Sequence, residues 1–249
     1  MPKVSIVVPV YNAARFLEDT IRSVQAQTEK DWELLLVDDC STDESCDVIT
    51  RISESDSRVR LIHQAQNAGA AAARNRGICE AAGKYLAYLD ADDLWKPERL
   101  SKELAFLEKE KAAFVFCGYE FADENGRGTG KVVRVPKTLT YHQALKNTTI
   151  FTSTVLFDMT ALSKELLQMP LVKSEDTATW WKILRAGYQA HGLDENLVLY
   201  RRTAGTLSSD KLEAVRRIWF LYRKVEGLSA LYSMYNFIFY AIRAVLRRV

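Results

Sequence analysis

"VSIVVPVYN", residues 4–12, decides the reading of this chain. A run of Val and Ile with no alternating polar face describes a strand buried on both sides, which is the signature of a parallel sheet covered by helices. The run ends in a polar group, Pro-Val-Tyr-Asn. The same grammar recurs down the chain, with apolar runs at 32–37, 59–62, 85–89 and 114–117, the first three ending in "DDCSTD", "HQAQNAG" and "DADD". Between the runs lie segments with helical spacing: Phe16, Leu17, Ile21 and Val24; then Val48 and Ile52; then "AGAAAARNRGICEAAG"; then Leu100, Leu104 and Leu107. Alternating strand and helix over the first part of the chain predicts an α/β, doubly wound, mainly parallel sheet with helices on both faces. In such sheets ligands bind beyond the carboxyl ends of the strands, so the polar groups there are the first candidates for chemistry.

Further along, "DENGRGTGK" reads as a hairpin tip, "STVLFD" as a strand, "SEDTATWWKILRAG" as a helix closed by Gly187, and "ENLVLYRR" as a last strand. The expected organisation is a catalytic domain at 1–210, divided into a nucleotide-binding half at 1–115 and an acceptor-binding half at 116–210, followed by a helical tail at 211–249. With 249 residues, 48% of them hydrophobic, the chain has ample material for a buried core. Cys40, Cys46, Cys79 and Cys117 form no CxxC pair and have no His at ligand spacing, which speaks against a zinc site or a disulfide framework. They read as reduced thiols. The amino-terminal run is too short for an export signal, and the expected location is cytoplasmic.

The "DADD" group sets Asp90, Asp92 and Asp93 within four positions. Pro97 suits the first helical position and would put the helix cap at Lys96, leaving the three acids free of a capping role. Like charges so close repel, and a divalent cation relieves the repulsion; Mn²⁺ or Mg²⁺ accepts carboxylate and phosphate oxygens alike. Asp39 could select a uracil-type base by accepting from its imide N–H, although Ser41 or Thr42 of the same stretch could simply cap the next helix. Arg74 and Arg76 are the only charges of "NAGAAAARNRG" and are open to a phosphate contact or to solvation. No P-loop and no GxGxxG follows the first strand.

"VSIVVPVYN", "LLLVDDCSTD", "NAGAAAARNRG", "YLAYLDADD" and a later "ED", in this order, make the chain resemble the inverting family 2 glycosyltransferases of the GT-A fold that build bacterial cell-surface polysaccharide. The likeness runs over roughly residues 2–202. It implies a UDP-sugar donor held by Pro9, Val10, Tyr11, Asn12, Asp38, Asp39, Asn67, Arg74, Asp90 and Ala91, and Mn²⁺ or Mg²⁺ on Asp92. It also implies Asp176 as catalytic base, with Glu175, Trp180, Trp181, Arg201 and Arg202 as candidates for acceptor contacts or a closing loop. The acceptor would be the hydroxyl of a glycan or lipid-linked glycan. Trp180 and Trp181 do not form the QxxRW motif of processive members, so one sugar is expected per acceptor. Packing is the competing role for both tryptophans. The competing functions are a catalytically silent nucleotide or glycan receptor at the membrane and a sugar nucleotidyltransferase.

The tail differs from the rest. Formal net charge is +2, yet from Arg216 onward there are seven Lys/Arg and one acid, against 27 basic and 31 acidic residues before. The uncharged run at 228–242 falls short of the ~20 residues a spanning helix needs. On a helix, Ser229, Ser233, Asn236, Arg243 and Arg247 form one stripe, and Tyr232, Tyr235, Phe237, Phe239 and Leu246 project elsewhere. Such a helix suits the surface of an anionic membrane and places the protein peripherally on its inner face, while packing on the domain or on a second copy remains open. A nucleic-acid partner is not expected, because the basic residues bracket an apolar surface.

Overall fold

The structure is a computed structural model that describes residues 1–147, 149–202 and 211–246. Its spine is a mixed sheet in the order β3-β2-β1-β4-β9-β6-β10-β5, with β7 on β6 and β8 on β10. The strands are β1 (Val4–Val10), β2 (Trp32–Asp38), β3 (Val59–His63), β4 (Tyr85–Tyr88), β5 (Leu94–Trp95), β6 (Phe114–Ala122), β7 (Gly128–Val133), β8 (Thr138–Leu139), β9 (Val155–Asp158) and β10 (Ala190–Arg201). The first four pair in parallel, as the uninterrupted apolar runs predict. β9 enters antiparallel between β4 and β6, so one sheet runs through both halves of the chain. The five strand runs expected from sequence all form, with ends shifted by up to five residues.

Alternation along β1 and β2 sorts the core into two layers. Val7, Leu35 and Val37 face the layer that holds α3 (Ala70–Glu80), whereas Val4, Ile6, Val8, Leu34 and Leu36 face the one that holds α1 (Ala14–Gln25), α2 (Ser45–Ser53) and α4 (Arg99–Glu110). α4 is capped at Glu98, not Lys96, because the short strand β5 intervenes between the acidic group and the helix. Pro97 therefore precedes the helix. The remaining helices are α5 (Tyr141–Ala144), α6 (Lys164–Leu167), α7 (Glu175–Arg185), α8 (Lys211–Phe220) and α9 (Ala230–Leu246).

The tail is not detached from this body. Ile218, Leu221 and Tyr222 are buried in the α3 layer, Tyr222 stacks on Trp181 at 5.2 Å, and Arg185 pairs with Glu226 at 3.0 Å. Its polarity is the reverse of an ordinary surface helix. Ser233 and Asn236 are fully buried, while Leu231, Met234, Tyr235, Ile238, Phe239 and Ile242 are exposed. Tyr232 and Phe237 pack inward, so the aromatic residues divide between two faces. Arg247 and Arg248 lie outside the described residues. No helix among the described residues is long and apolar enough to cross a membrane.

α3 lies close on β1 because Gly77 carries no side chain. A Cβ there would come within 2.3 Å of Cγ1 of Val7, which is fully buried and stiff at χ1. Gly77→Ala gains about 1 kcal/mol of helix propensity but overpacks the contact by about 1–3 kcal/mol. The variant is expected to unfold at lower urea concentration with an unchanged slope; an equal or higher midpoint would show that the layer yields at no cost.

Candidate active site

A cavity of about 660 Å³ opens at the carboxyl ends of β1 and β4, lined by Pro9, Val10, Tyr11, Asn12, Ala13, Phe16, Asp39, Ala70, Arg74, Asp90, Ala91, Asp92, Phe151, Tyr200 and Arg201. Most of the strand-end residues singled out from sequence thus meet in one place. Two do not. Asp38 is the last residue of β2 and points to the opposite side from Asp39, toward His63 Nδ1 at 3.6 Å. Asn67 is one step removed and donates to the Asp39 carbonyl at 2.9 Å.

The first loop is locked to the second. Asn12 adopts a left-handed φ of 50°, its N–H donates to Ser41 Oγ at 3.0 Å, and its Oδ1 accepts from Thr42 N at 2.8 Å. Ser41 and Thr42 are spent on this contact, so neither caps α2, whose cap is Glu44. Asp39 is 3% exposed and accepts from Gln64 Nε2, Ala68 N and Gly69 N at 2.7–2.8 Å. A carboxylate has about four lone-pair sites, which leaves roughly one for a ligand. Tyr11 stands 55% exposed on the rim with a ring face available for stacking.

Arg74 was open to a phosphate contact; the fold gives it to carboxylates instead. Buried at 5% exposure, it donates from Nη2 to Asp90 Oδ1 at 2.6 Å and from Nη1 to Glu175 Oε1 at 2.8 Å. Burial alone would lower its pKa, but the charges of Asp90 and Glu175 more than offset this and hold it above the ordinary value. Arg76 is the solvated one, paired with Glu80 one turn on. Burial, and then the Asp176 charge, push Glu175 above the usual carboxylate range against the pull of Arg74.

The three acids of "DADD" have separate fates. Asp93 is fully buried and turned away, accepting from Ser153 Oγ at 2.5 Å and from Arg201 N at 3.1 Å. Burial raises its pKa well above normal, with Asp92 and Asp90 adding to the effect against the pull of those two hydrogen bonds, and its role is a structural tie. Asp90 is balanced by Arg74. Asp92 lines the cavity with no ion pair among the described residues, and burial and the Asp90 charge push it up to about 6 against a weaker pull from Arg201. A hard divalent cation fits this setting, with the Asp92 carboxylate as its oxygen ligand from the protein. Facing them, Arg201 is 1% exposed and leans on the Phe16 ring at 4.7 Å and on Asp19 at 3.4 Å. Among the described residues its Nε and Nη1 have no hydrogen-bond partner, a costly state for buried donors unless an anion is to be received.

Asp176 opens into a second cavity of about 240 Å³, lined also by Tyr119, Ile150, Phe151, Ser174, Thr177, Ala214, Arg217, Ile218 and Tyr240. Phe151 borders both cavities. Asp176 accepts from Thr152 Oγ1 at 3.3 Å and from Thr177 N at 2.6 Å. Trp180 and Trp181, 2% and 1% exposed, have no face for a sugar: helical spacing turns them into the core against Phe114, Phe157 and Tyr222. Arg202 is also displaced, lying over Phe121 outside either cavity lining. Sequence reading missed Phe16, Phe151 and Tyr200; only the last, in "ENLVLYRR", lay beside a residue already singled out.

The profile described as "Glycosyl transferase family 2" matches residues 5–167. A Bacillus subtilis protein named for teichuronic acid biosynthesis, glycosyltransferase TuaG, is 39% identical over 100% of this chain and 98% of its own. An Escherichia coli protein named UDP-Glc:alpha-D-GlcNAc-diphosphoundecaprenol beta-1,3-glucosyltransferase WfaP is 32% identical over 99% of this chain and 96% of its own. Among solved structures, S. aureus TarS 1-349, in complex with UDP-GlcNAc, superposes with a TM-score of 0.72 at 19% identity, over 96% of this chain and 70% of that one.

Removing Arg74 tests the charge arrangement. Arg74→Met strands Asp90 and Glu175 in a buried setting and is expected to cost about 3–5 kcal/mol near neutral pH. Glu175 is already held above the usual carboxylate range by burial, and losing the Arg74 charge raises it further, so the variant's stability is retained below that range and lost as pH rises through it. Urea unfolding at about pH 5 and about pH 7.5 should therefore show a smaller deficit at the lower value. Equal deficits would mean that Arg74 acts through packing alone.

Proposed function

The chain belongs to glycosyl transferase family 2, and from that premise we propose that it moves one sugar from a UDP-sugar to a hydroxyl of a lipid-linked or glycan acceptor in cell-surface polysaccharide assembly. The observation that carries the reading is the pairing of Arg201, with unpartnered buried donors, and Asp92, with an unbalanced carboxyl, across one strand-end cavity. A nucleoside diphosphate supplies acceptors for Nε and Nη1 of Arg201, which its contact with Asp19 leaves open. Asp39 accepts from the uracil imide N–H with its remaining lone pair, Tyr11 covers the base, and Asp90 meets the ribose. Asp92 holds Mn²⁺ or Mg²⁺, which, when bound, offsets the charge that grows on the departing diphosphate.

Asp176 is the base. It takes the proton of the acceptor hydroxyl as that oxygen attacks the anomeric carbon from the side opposite the diphosphate. One C–O bond forms to the acceptor, the C–O bond to the β-phosphate breaks, UDP leaves and the anomeric configuration inverts. The base stands on the acceptor side of Phe151, in the smaller cavity, whose wall includes Ala214, Arg217 and Ile218 of α8 and Tyr240 of α9. The tail therefore completes the acceptor site in this reading. Arg217 suits an acceptor carried on a diphosphate, and WfaP, aligned over nearly the whole chain, is named for such an acceptor.

The exposed apolar ridge of α9, with Arg223, Lys224 and Arg243 exposed near its ends, suits the inner face of an anionic membrane, where a lipid-borne acceptor would be presented. A silent receptor would need neither Asp176 nor a cavity beside the donor site. A nucleotidyltransferase would bring a second phosphate-bearing substrate to the cavity where Asp92 and Arg201 meet, leaving Asp176 without a task.

With the UDP-sugar that a donor screen selects, Asp176→Asn should lower turnover about 10²–10⁴-fold while leaving UDP affinity near that of the parent protein. Unchanged turnover would remove Asp176 from the mechanism. Leu231→Glu combined with Ile238→Glu should abolish sedimentation with vesicles rich in anionic lipid and leave transfer to a water-soluble acceptor analogue intact; continued sedimentation would assign the ridge to another partner.

A further inference from the structure

On the far side of β2 from the donor cavity, three side chains of different chemistry converge. Asp38 ends β2, His63 ends β3 and Cys46 is the second residue of α2; one ligand atom from each lies within 4.8 Å of the other two. The donor account uses none of them. We propose that this trio is a binding site for a thiophilic divalent cation of the zinc class, a clip that joins the ends of two strands to the start of a helix.

The donor set points to the ion. A carboxylate oxygen, an imidazole nitrogen and a thiolate sulfur together match zinc or cobalt, whereas Mn²⁺ and Mg²⁺ favour oxygen alone. The spacing is close to what coordination asks. Two N/O ligands at the usual bond length from a tetrahedral centre stand roughly 3.4 Å apart. Asp38 Oδ2 and His63 Nδ1 are already 3.6 Å apart. Cys46 Sγ, within 4.8 Å of both, has to close by at most roughly 1.3 Å to reach the S···N/O separation of a tetrahedral centre, within reach of a χ1 adjustment at a half-buried position. Asp38 is prepared for this, since its other oxygen, Oδ1, accepts from Ser41 N at 3.1 Å and the side chain is only 5% exposed. His63 is 64% exposed, which gives the ion a way in and leaves a fourth position for water.

The competing account is a thiol donating to a buried carboxylate beside a solvated imidazole. It does not require the imidazole to face the carboxylate from a separate strand. Position gives the site a consequence: residues 39–44 follow Asp38 directly, and Ser41 and Thr42 in that stretch hold Asn12 of the donor cavity. An ion on the trio stiffens the support of Asp39 and Asn12 without touching the donor.

The test uses the full chain, stripped with chelator and titrated with Co²⁺ alone. A thiolate ligand gives cobalt a near-ultraviolet charge-transfer band that carboxylate sites such as Asp92 do not give. The band is expected to saturate at one equivalent, to be displaced by Zn²⁺, to vanish in Cys46→Ser and to persist in Cys79→Ser. His63→Ala, at an exposed position where folding is not in question, should weaken Co²⁺ binding by at least about tenfold. Absence of the band in the parent protein, its persistence in Cys46→Ser, or unchanged affinity in His63→Ala would overturn the proposal. None of these outcomes depends on whether UDP binds, so failure here leaves the reading of the donor cavity standing.

Discussion

Everything at the catalytic end of this protein depends on one buried cation. Arg74 projects from α3, a helix held tightly to the sheet by Gly77, and ends between a carboxylate of the β4 loop and one of the first turn of α7. Burying a guanidinium is tolerable only when opposite charge meets it at hydrogen-bonding distance, so Asp90 and Glu175 cannot relax away from it. These three residues are far apart in sequence. Their contact fixes where the loop that carries Asp92 stands relative to the helix that carries Asp176, and it explains why two cavities adjoin along Phe151.

The same interaction decides which acids remain uncompensated. Asp90 and Glu175 share the one positive charge of Arg74, and Asp93 is buried in a tie to Ser153. That leaves Asp92 in the donor cavity and Asp176 in its neighbour. A carboxyl pushed up to about 6 by burial and a like charge favours an arriving cation, and the orphaned donors of Arg201 favour an arriving anion. A diphosphate with a divalent cation satisfies both, which neither partner does alone. Membership in glycosyl transferase family 2 agrees with this division of labour.

The sheet was legible in the sequence because its strands are locally encoded: uninterrupted Val, Ile and Leu runs with polar ends admit few other readings. The strand-end rule then located the cavity. What escaped were features decided by partners distant in the chain. Nothing in "AAAARNRG" announces that Arg74 is buried and Arg76 solvated; that follows from Glu175, 101 positions later. Alternation could have separated Asp38 from Asp39, since adjacent residues of a strand face opposite ways, and the same flip brings Asp38 to Cys46 and His63. In the tail, the stripe of Ser233 and Asn236 was visible, but whether a polar stripe faces solvent or protein depends on what lies beneath it. Here Ser233 Oγ donates to the Ser229 carbonyl and Asn236 Nδ2 to the Tyr232 carbonyl, which offsets part of the cost of burying them.

Calorimetric titration of UDP, with Mn²⁺ present and then with chelator, asks most directly whether the uncompensated Asp92 and Arg201 form a diphosphate site. The account predicts saturable uptake at one site that weakens at least about tenfold when the cation is withdrawn, and equally in Asp92→Ala. Uptake of the same affinity with chelator present, or none under either condition, would contradict it.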